Sequence, residues 1–301
     1  MDGRVQPDGI DLTVLTEDPY RILEIRRRLE CDLGEFNIAE YFRARERGVP
    51  ILALPIFLHR RFRHGYIFVN PGNRIVSPAD LAGTSVGVVG IASAAEVWCR
   101  GLLQEFHGVG PDDVHWRRNP APALPGEDRP PDAQHVPISE NLLLDGEVSA
   151  LISPGIPRSF ARRDARIARL FPDHKEVEIR YFRETGIYPV MHVLTIDEEI
   201  VERHPWAVSS IAAAFEEAKR LAYARISHPA LMPLAFVESA REEQEELFGP
   251  DPFAYGMGDA NRRSVATALR YSREQGRIAG EPPLSELFVD IDDSVWGPRW
   301  R

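Results

Sequence analysis

Residues 53–70 read Ala53-Leu54-Pro55-Ile56-Phe57-Leu58-His59-Arg60-Arg61-Phe62-Arg63-His64-Gly65-Tyr66-Ile67-Phe68-Val69-Asn70, with three arginines and two histidines held between two apolar, strand-like runs. Fold stability seldom calls for charge this dense. A guanidinium keeps its proton and presents a planar fork that matches carboxylate oxygens, so such a cluster at the end of a strand suits an anion receptor. His59 and His64 add rings that titrate near neutral pH. The plainer reading is a solvated turn whose basic residues meet surface acids.

Working outward, strand-like and helix-like segments alternate, the pattern of sheets covered by helices in α/β proteins. Strands are expected at Ile10–Leu15, Asp32–Phe36, Pro50–Phe57, Ser85–Val89, Ala150–Ser153 and Val177–Tyr181. Helices are expected at Pro19–Leu29, Ile38–Arg47 and about Ala94–Phe106. Ser93 with Glu96 three places on predicts a capping box at the start of the third. His204-Pro205 opens an amphipathic helix whose Trp206, Ile211, Phe215, Ala218 and Leu221 are expected to share a packed face. The proline-rich stretch Asn119–Pro137 reads as an irregular surface loop, and Glu238–Glu246 as a wet helix face.

Composition bounds the function. The 301 residues are 44% hydrophobic, enough for a large core in one big domain or two lobes. A net charge of −10 argues against a nucleic-acid partner, because phosphate backbones are bound through basic surface. Only Cys31 and Cys99 are present, without metal-ligand spacing, and both are expected to be small buried hydrophobes. No apolar run approaches the length needed to span a bilayer and no leader-like segment is seen, so no membrane partner and a cytoplasmic location are expected. G-x-S-x-G, Walker, H-E-x-x-H and G-x-G-x-x-G signatures are all missing, which removes the usual support for hydrolase, nucleotidase, zincin and dinucleotide readings.

Two further positions carry chemistry. His192 stands where the loop Glu184–Pro189 feeds a β-branched strand, a common place for a side chain facing a cleft. Glu35, near a strand end, is a carboxyl group able to handle a proton if partly buried.

Several short blocks, in order, resemble the 4,5-dihydroxyphthalate decarboxylase family. They are Leu54-Pro55-Ile56-Phe57 with Arg60-x-Phe62-Arg63-His64, Trp98-x-Arg100-Gly101-Leu102-Leu103, Arg169-Leu170-Phe171-Pro172-Asp173, Thr185-Gly186-Ile187-x-Pro189-x-Met191-His192, His204-Pro205-Trp206, Tyr255-Gly256 with Asn261-Arg262, and Tyr271-x-x-Glu274-Gln275-Gly276. The resemblance spans nearly the whole chain and implies an α/β fold like the type 2 periplasmic binding proteins, two lobes with an interlobe cleft. Lobe one would comprise residues 1–78 and 190–301, the latter with the C-terminal helices, and lobe two residues 79–189. The family pattern carries one more strand and helix ahead of Asp2, so the first strand and helix of lobe one are expected to be missing. Asn37 and Gly65 stand where the pattern has serine.

The resemblance implies a carboxy-lyase that converts 4,5-dihydroxyphthalate, a small aromatic dicarboxylate, to 3,4-dihydroxybenzoate and CO2. A hydroxyl para to the departing group makes that ring carbon electron-rich, so it can be protonated before CO2 leaves. No cofactor and no metal are then required. Arg60 and Arg63 would hold the carboxylates, His192 or His64 would donate the proton, and Glu35 would orient a histidine or handle the phenol. Ser93, Trp98 and Thr185 would line the substrate, although the helical spacing of Trp98 with Leu102 equally suits a core position. A homo-oligomer is compatible with this reading. The alternatives are a solute-binding protein for a small aromatic or carboxylate ligand and a non-decarboxylating enzyme on the same scaffold.

Overall fold

The computed structural model describes residues 3–89, 93–119, 122–127, 138–226, 228 and 231–297. From the amino end the chain runs through α1 (Pro19–Arg27), β1 (Leu33–Asn37), α2 (Ile38–Glu46) and β2 (Ile51–Arg60), then a 3-10 turn at His64–Tyr66 and β3 (Ile67–Val69). There follow β4 (Ser85–Val88), α3 (Ala94–His107), β5 (His115–Arg118), α4 (Glu140–Leu144), β6 (Ala150–Ile152), α5 (Arg158–Ala161), β7 (Ala168–Arg169) and α6 (His174–Thr185). Strand β8 (Val190–Asp197) leads into α7 (Glu198–Arg203), α8 (Pro205–Ile226), α9 (Val237–Phe248), α10 (Asp259–Glu274) and α11 (Leu284–Leu287).

Two sheets organise these elements. The first has the order β1-β8-β2, with β8 antiparallel to both neighbours. The second has the order β5-β4-β6-β3-β7, parallel about β4 and antiparallel where β3 meets β6 and β7. Strand β8 is the last of the chain yet lies in the middle of the first sheet. The polypeptide therefore leaves that sheet after β2, builds the second sheet, and returns.

Pro55 has no N–H to give to a ladder. Pairing accordingly breaks after Leu54 opposite Leu194 and resumes with His59 opposite His192. The intervening residues are taken up as an irregularity, which re-aims the strand end as bulges do.

Apolar clusters cover both faces of the first sheet. On one, Phe36, Tyr41, Phe57, Met191 and Val193 pack with Trp98 of α3 and Leu269 and Tyr271 of α10. On the other, Leu54, Ile56, Leu194 and Ile196 meet Val208 and Ile211 of α8. Helix α3 serves two cores, because its Cys99 and Leu103 pack under the second sheet with Val86, Val88 and Ile152.

Several sequence expectations are corrected. Residues 10–15 form no strand; Leu12, Val14 and Leu15 are exposed and no neighbouring strand pairs with them. Residues 177–181 lie within α6, where Val177 and Tyr181 fall one helical turn apart against the core, a helix period rather than a strand period. On α8 the buried face is Ala207, Val208, Ile211 and Ala212, whereas Trp206 is exposed, so the stripe is rotated from the one expected. Ser93 makes no capping hydrogen bond: Asn37 Oδ1 takes the Ala94 N–H instead, and Glu96 turns to arginines. Cys31 is only partly buried. Residues 122–127 of the proline-rich stretch are irregular; 120, 121 and 128–137 lie outside the described residues. Helix α9 buries none of its residues, as a wet acidic face requires.

Two measurements test this packing. Gly101 sits against Tyr271, and a Cβ there would lie 2.2 Å from the ring. Gly101→Ala is expected to lower the unfolding free energy by about 2 kcal/mol or more, read as a lower urea midpoint. His64 is 1% exposed between Phe171, Tyr181 and His107. Burial, reinforced by the charges of His107 and His174, pushes its pKa down to about 4 from the ordinary 6.5. Between those values the unfolded ring binds a proton and the folded one does not, so its contribution is present above pH 6.5 and lost as pH falls toward 4. The facing Glu178 carboxyl, raised by burial to about 7, titrates with the opposite sign. Comparison with His64→Leu isolates the imidazole: from pH 7 to pH 5 the native chain is expected to lose about 2 kcal/mol more than the variant.

Candidate active site

The return of β8 between β1 and β2 sets Asn37 and His59 on either side of His192. Residues paired across antiparallel strands share a face, and so do residues two apart on one strand. Glu35, Asn37, His59 and His192 therefore converge at one end of the first sheet. His192 Nδ1 lies 2.6 Å from Glu35 Oε1, with side chains 18% and 32% exposed. The His59 ring meets the His192 ring edge-on, centroids 4.9 Å apart.

Asn37 joins this end of the sheet to α3. Its Oδ1 accepts from Ala39 N, Glu40 N and Ala94 N, capping α2 and taking the first amide of α3. Ser93 is thereby brought to the same end of the sheet.

The electrostatics separate the three titratable groups. Burial alone would raise the Glu35 carboxyl, but the His192 hydrogen bond and the charges of His192 and His59 hold it below the usual range. As an ionised acceptor it takes the Nδ1 proton of His192 and leaves Nε2 as the ring's other working atom. His59 is pushed down to about 4, first by burial and then by His192, Arg61 and Arg63. At neutral pH it is an uncharged ring able to accept a hydrogen bond.

Of the residues expected at the site, the structure brings together Glu35, His192 and, beside them, Ser93. The others are placed elsewhere. Arg60 is buried and donates to Tyr188 O, Ala254 O and Asn261 Oδ1, which fastens β2 to α10. Arg63 is buried and donates to Met191 Sδ and Pro154 O. His64 lies in its aromatic cage, away from the open face. Trp98 is fully buried, its Nε1 donating 2.9 Å to Val190 O, so it is core rather than cleft wall. Thr185 closes α6, accepting from Ile187 N and donating to Tyr181 O. Sequence reasoning marked His59 only as a ring that titrates near neutral pH and Arg61 only as a member of the arginine cluster, with no place for either in the site. The signal for His59 was Pro55, whose break in the ladder decides which residue faces His192.

A cavity of about 1210 Å3 opens between α8 and α9, bordered by Leu58, Phe215, Tyr223 and Phe253; none of Glu35, His59, Arg61 or His192 lines it. Among the described residues, no three His, Cys, Asp or Glu side chains are grouped to hold a metal ion, and no helix is long and apolar enough to cross a membrane.

Comparison with known proteins adds to this geometry. The family model described as NMT1/THI5 like matches residues 6–124. The periplasmic sulfonate-binding protein SsuA of Methylobacillus flagellatus KT aligns over 89% of this chain and 75% of its own, with 12% identity and a TM-score of 0.51, a likeness of fold alone. The 4,5-dihydroxyphthalate decarboxylase of Comamonas testosteroni is 29% identical over 308 residues, spanning 96% of this chain and 91% of that protein. The protein of the same name from Pseudomonas putida is 30% identical over 195 residues, 61% of this chain and 76% of the relative. Likeness at that level, over three quarters of one such enzyme and nine tenths of another, places the chain in the 4,5-dihydroxyphthalate decarboxylase family.

Proposed function

We propose that the protein is a carboxy-lyase that removes one carboxylate from 4,5-dihydroxyphthalate, or a closely similar dihydroxylated aromatic dicarboxylate, giving 3,4-dihydroxybenzoate and CO2. The observation that carries this reading is the 2.6 Å Glu35–His192 hydrogen bond at the open end of the first sheet. A binding protein needs fixed charge and hydrogen bonds. This pair supplies a proton carrier with an anchor behind it.

The reaction follows from the ring's electronics. Electron density from the hydroxyl para to the leaving carboxylate builds up at the carbon that bears it. His192 Nε2 delivers a proton to that carbon, which becomes tetrahedral. The bond to the carboxylate then breaks, its electron pair restores the aromatic ring, and CO2 departs. Glu35 fixes the imidazole through Nδ1, so the donor atom is aimed before the substrate arrives. His59, uncharged, accepts a hydrogen bond from a phenolic hydroxyl and stabilises the electron-rich form of the ring. Closure of the two lobes over the ligand expels water and strengthens each of these contacts.

Incubation with 4,5-dihydroxyphthalate is expected to release CO2 and the dihydroxybenzoate in equal amounts; binding without either product would instead favour a solute-binding role. His192→Ala is expected to abolish CO2 release while phthalate still binds, and unchanged turnover would remove His192 from the chemistry. Glu35→Gln, which keeps the shape but loses the charge, is expected to lower kcat about 100-fold, within the range for a general-acid system.

A further inference from the structure

The turn after β2 carries three arginines, and they differ in how their donors are used. The terminal nitrogens of Arg60 and the fork of Arg63 end on carbonyls, an amide oxygen and a methionine sulfur inside the protein, although the buried Arg60 Nε has no partner. Arg61 is different. Its backbone N–H is pinned to Pro189 O at 3.0 Å, but among the described residues its guanidinium has no hydrogen-bond acceptor and no carboxylate partner. The side chain is half-buried, with its guanidinium over the Tyr66 ring at 5.3 Å. The Arg63 guanidinium lies over the same ring at 5.2 Å.

This arrangement is unbalanced as it stands. Two like charges share one aromatic ring, and one of them has a free fork. A half-buried guanidinium loses part of its hydration and recovers it best from an anion. Stacking on Tyr66 holds the fork's plane, which lowers the entropy lost when a planar carboxylate docks. Arg61 follows His59 by two residues, and the His59 ring meets His192 edge-on at 4.9 Å, so the free fork stands next along the chain from the proposed chemistry.

We infer that Arg61 is the seat of an aromatic carboxylate, specifically the one that stays on the ring. The inference rests on the decarboxylase reading only for the choice between the two carboxylates. The departing group becomes neutral CO2, and a guanidinium clamped on it would stabilise the starting state more than the transition state. The carboxylate that remains keeps its charge throughout, so gripping it orients the ring without that penalty. Binding selectivity for benzoates over neutral aromatics then comes from Arg61 and Tyr66, while the protein-facing arginines Arg60 and Arg63 hold the scaffold.

Calorimetric titration with phthalate and with benzoate, neither of which carries the activating hydroxyls, separates binding from turnover. Arg61→Gln is expected to weaken both ligands about 10- to 100-fold, and Arg61→Lys to recover only part of that, having the charge without the fork. Thermal midpoints of both variants are expected to match the native chain, because Arg61 has no polar partner to lose. Native affinity in Arg61→Gln would overturn the inference, as would a native protein that binds neither acid. Arg61-dependent benzoate binding in a protein that releases no CO2 would uphold the inference and sink the decarboxylase reading. CO2 release with Arg61-independent binding would do the reverse.

Discussion

The constraint on which the site depends is the insertion of β8, antiparallel, between β1 and β2. Glu35 and His192 are 157 residues apart, and nothing local brings them together. Their meeting is a matter of register. Phe36 opposite Val193 points into the core under α3 and α10, while Asn37 opposite His192 sets a polar pair on the other face at the end of the sheet. A slip by one residue would exchange the faces of His192 and Val193, so the apolar pattern that stabilises the sheet also fixes which residue meets Glu35. On the other side, the proline-induced break lets His59 return opposite His192 although four residues separate it from the last paired position.

A second dependence runs through α3. This helix gives Trp98 to the core of the first sheet and Cys99 and Leu103 to the core of the second. Its first amide is held by Asn37. On a third side, Glu96 is fully buried among Arg100, Arg118 and Arg277, which come from α3 itself, the end of β5 and the segment after α10. Burial of a carboxylate costs several kcal/mol unless charge-assisted partners surround it. Three guanidiniums meet that cost, and two of them tie distant stretches of chain to one turn of α3. The start of α3 is thus tied down where Asn37 joins it to the end of the sheet that carries Glu35 and His192.

Much of this was legible in the sequence, and the failures have physical causes. Strands β1, β2, β4, β6 and helices α1 to α3 have clear periodicity and were read to within a few residues. Val177–Tyr181 was misread because β-branched and aromatic residues favour strands on propensity, while the spacing of Val177 and Tyr181 is that of a helix face. The capping box failed because a tertiary partner, Asn37, outcompeted Ser93 for the helix amide. Glu35 and His192 were singled out because they lie at strand ends beside apolar runs, and the structure brings them within 2.6 Å. Arg60, Arg63 and Trp98 were misassigned for one shared reason: sequence shows that a polar group is present but not whether the protein consumes its hydrogen bonds internally; His64 was misassigned because its ring is buried among aromatics with neither nitrogen hydrogen-bonded. Arg60 and Asn261 are 201 residues apart, so no local pattern reveals that pairing.

The same point decides how a binding-protein scaffold can host acid–base chemistry. At neutral pH, Glu35 is held ionised by its histidine partner and His59 is held neutral by burial and nearby cations. His192 touches both, its Nδ1 anchored on Glu35 and its ring edge-on to His59. With its neighbours fixed in opposite charge states, His192 is the group to which the proposed reaction assigns the proton. An arginine in that position would bind an acid equally well but could never give up its proton, which is the physical difference between capturing a carboxylate and removing one.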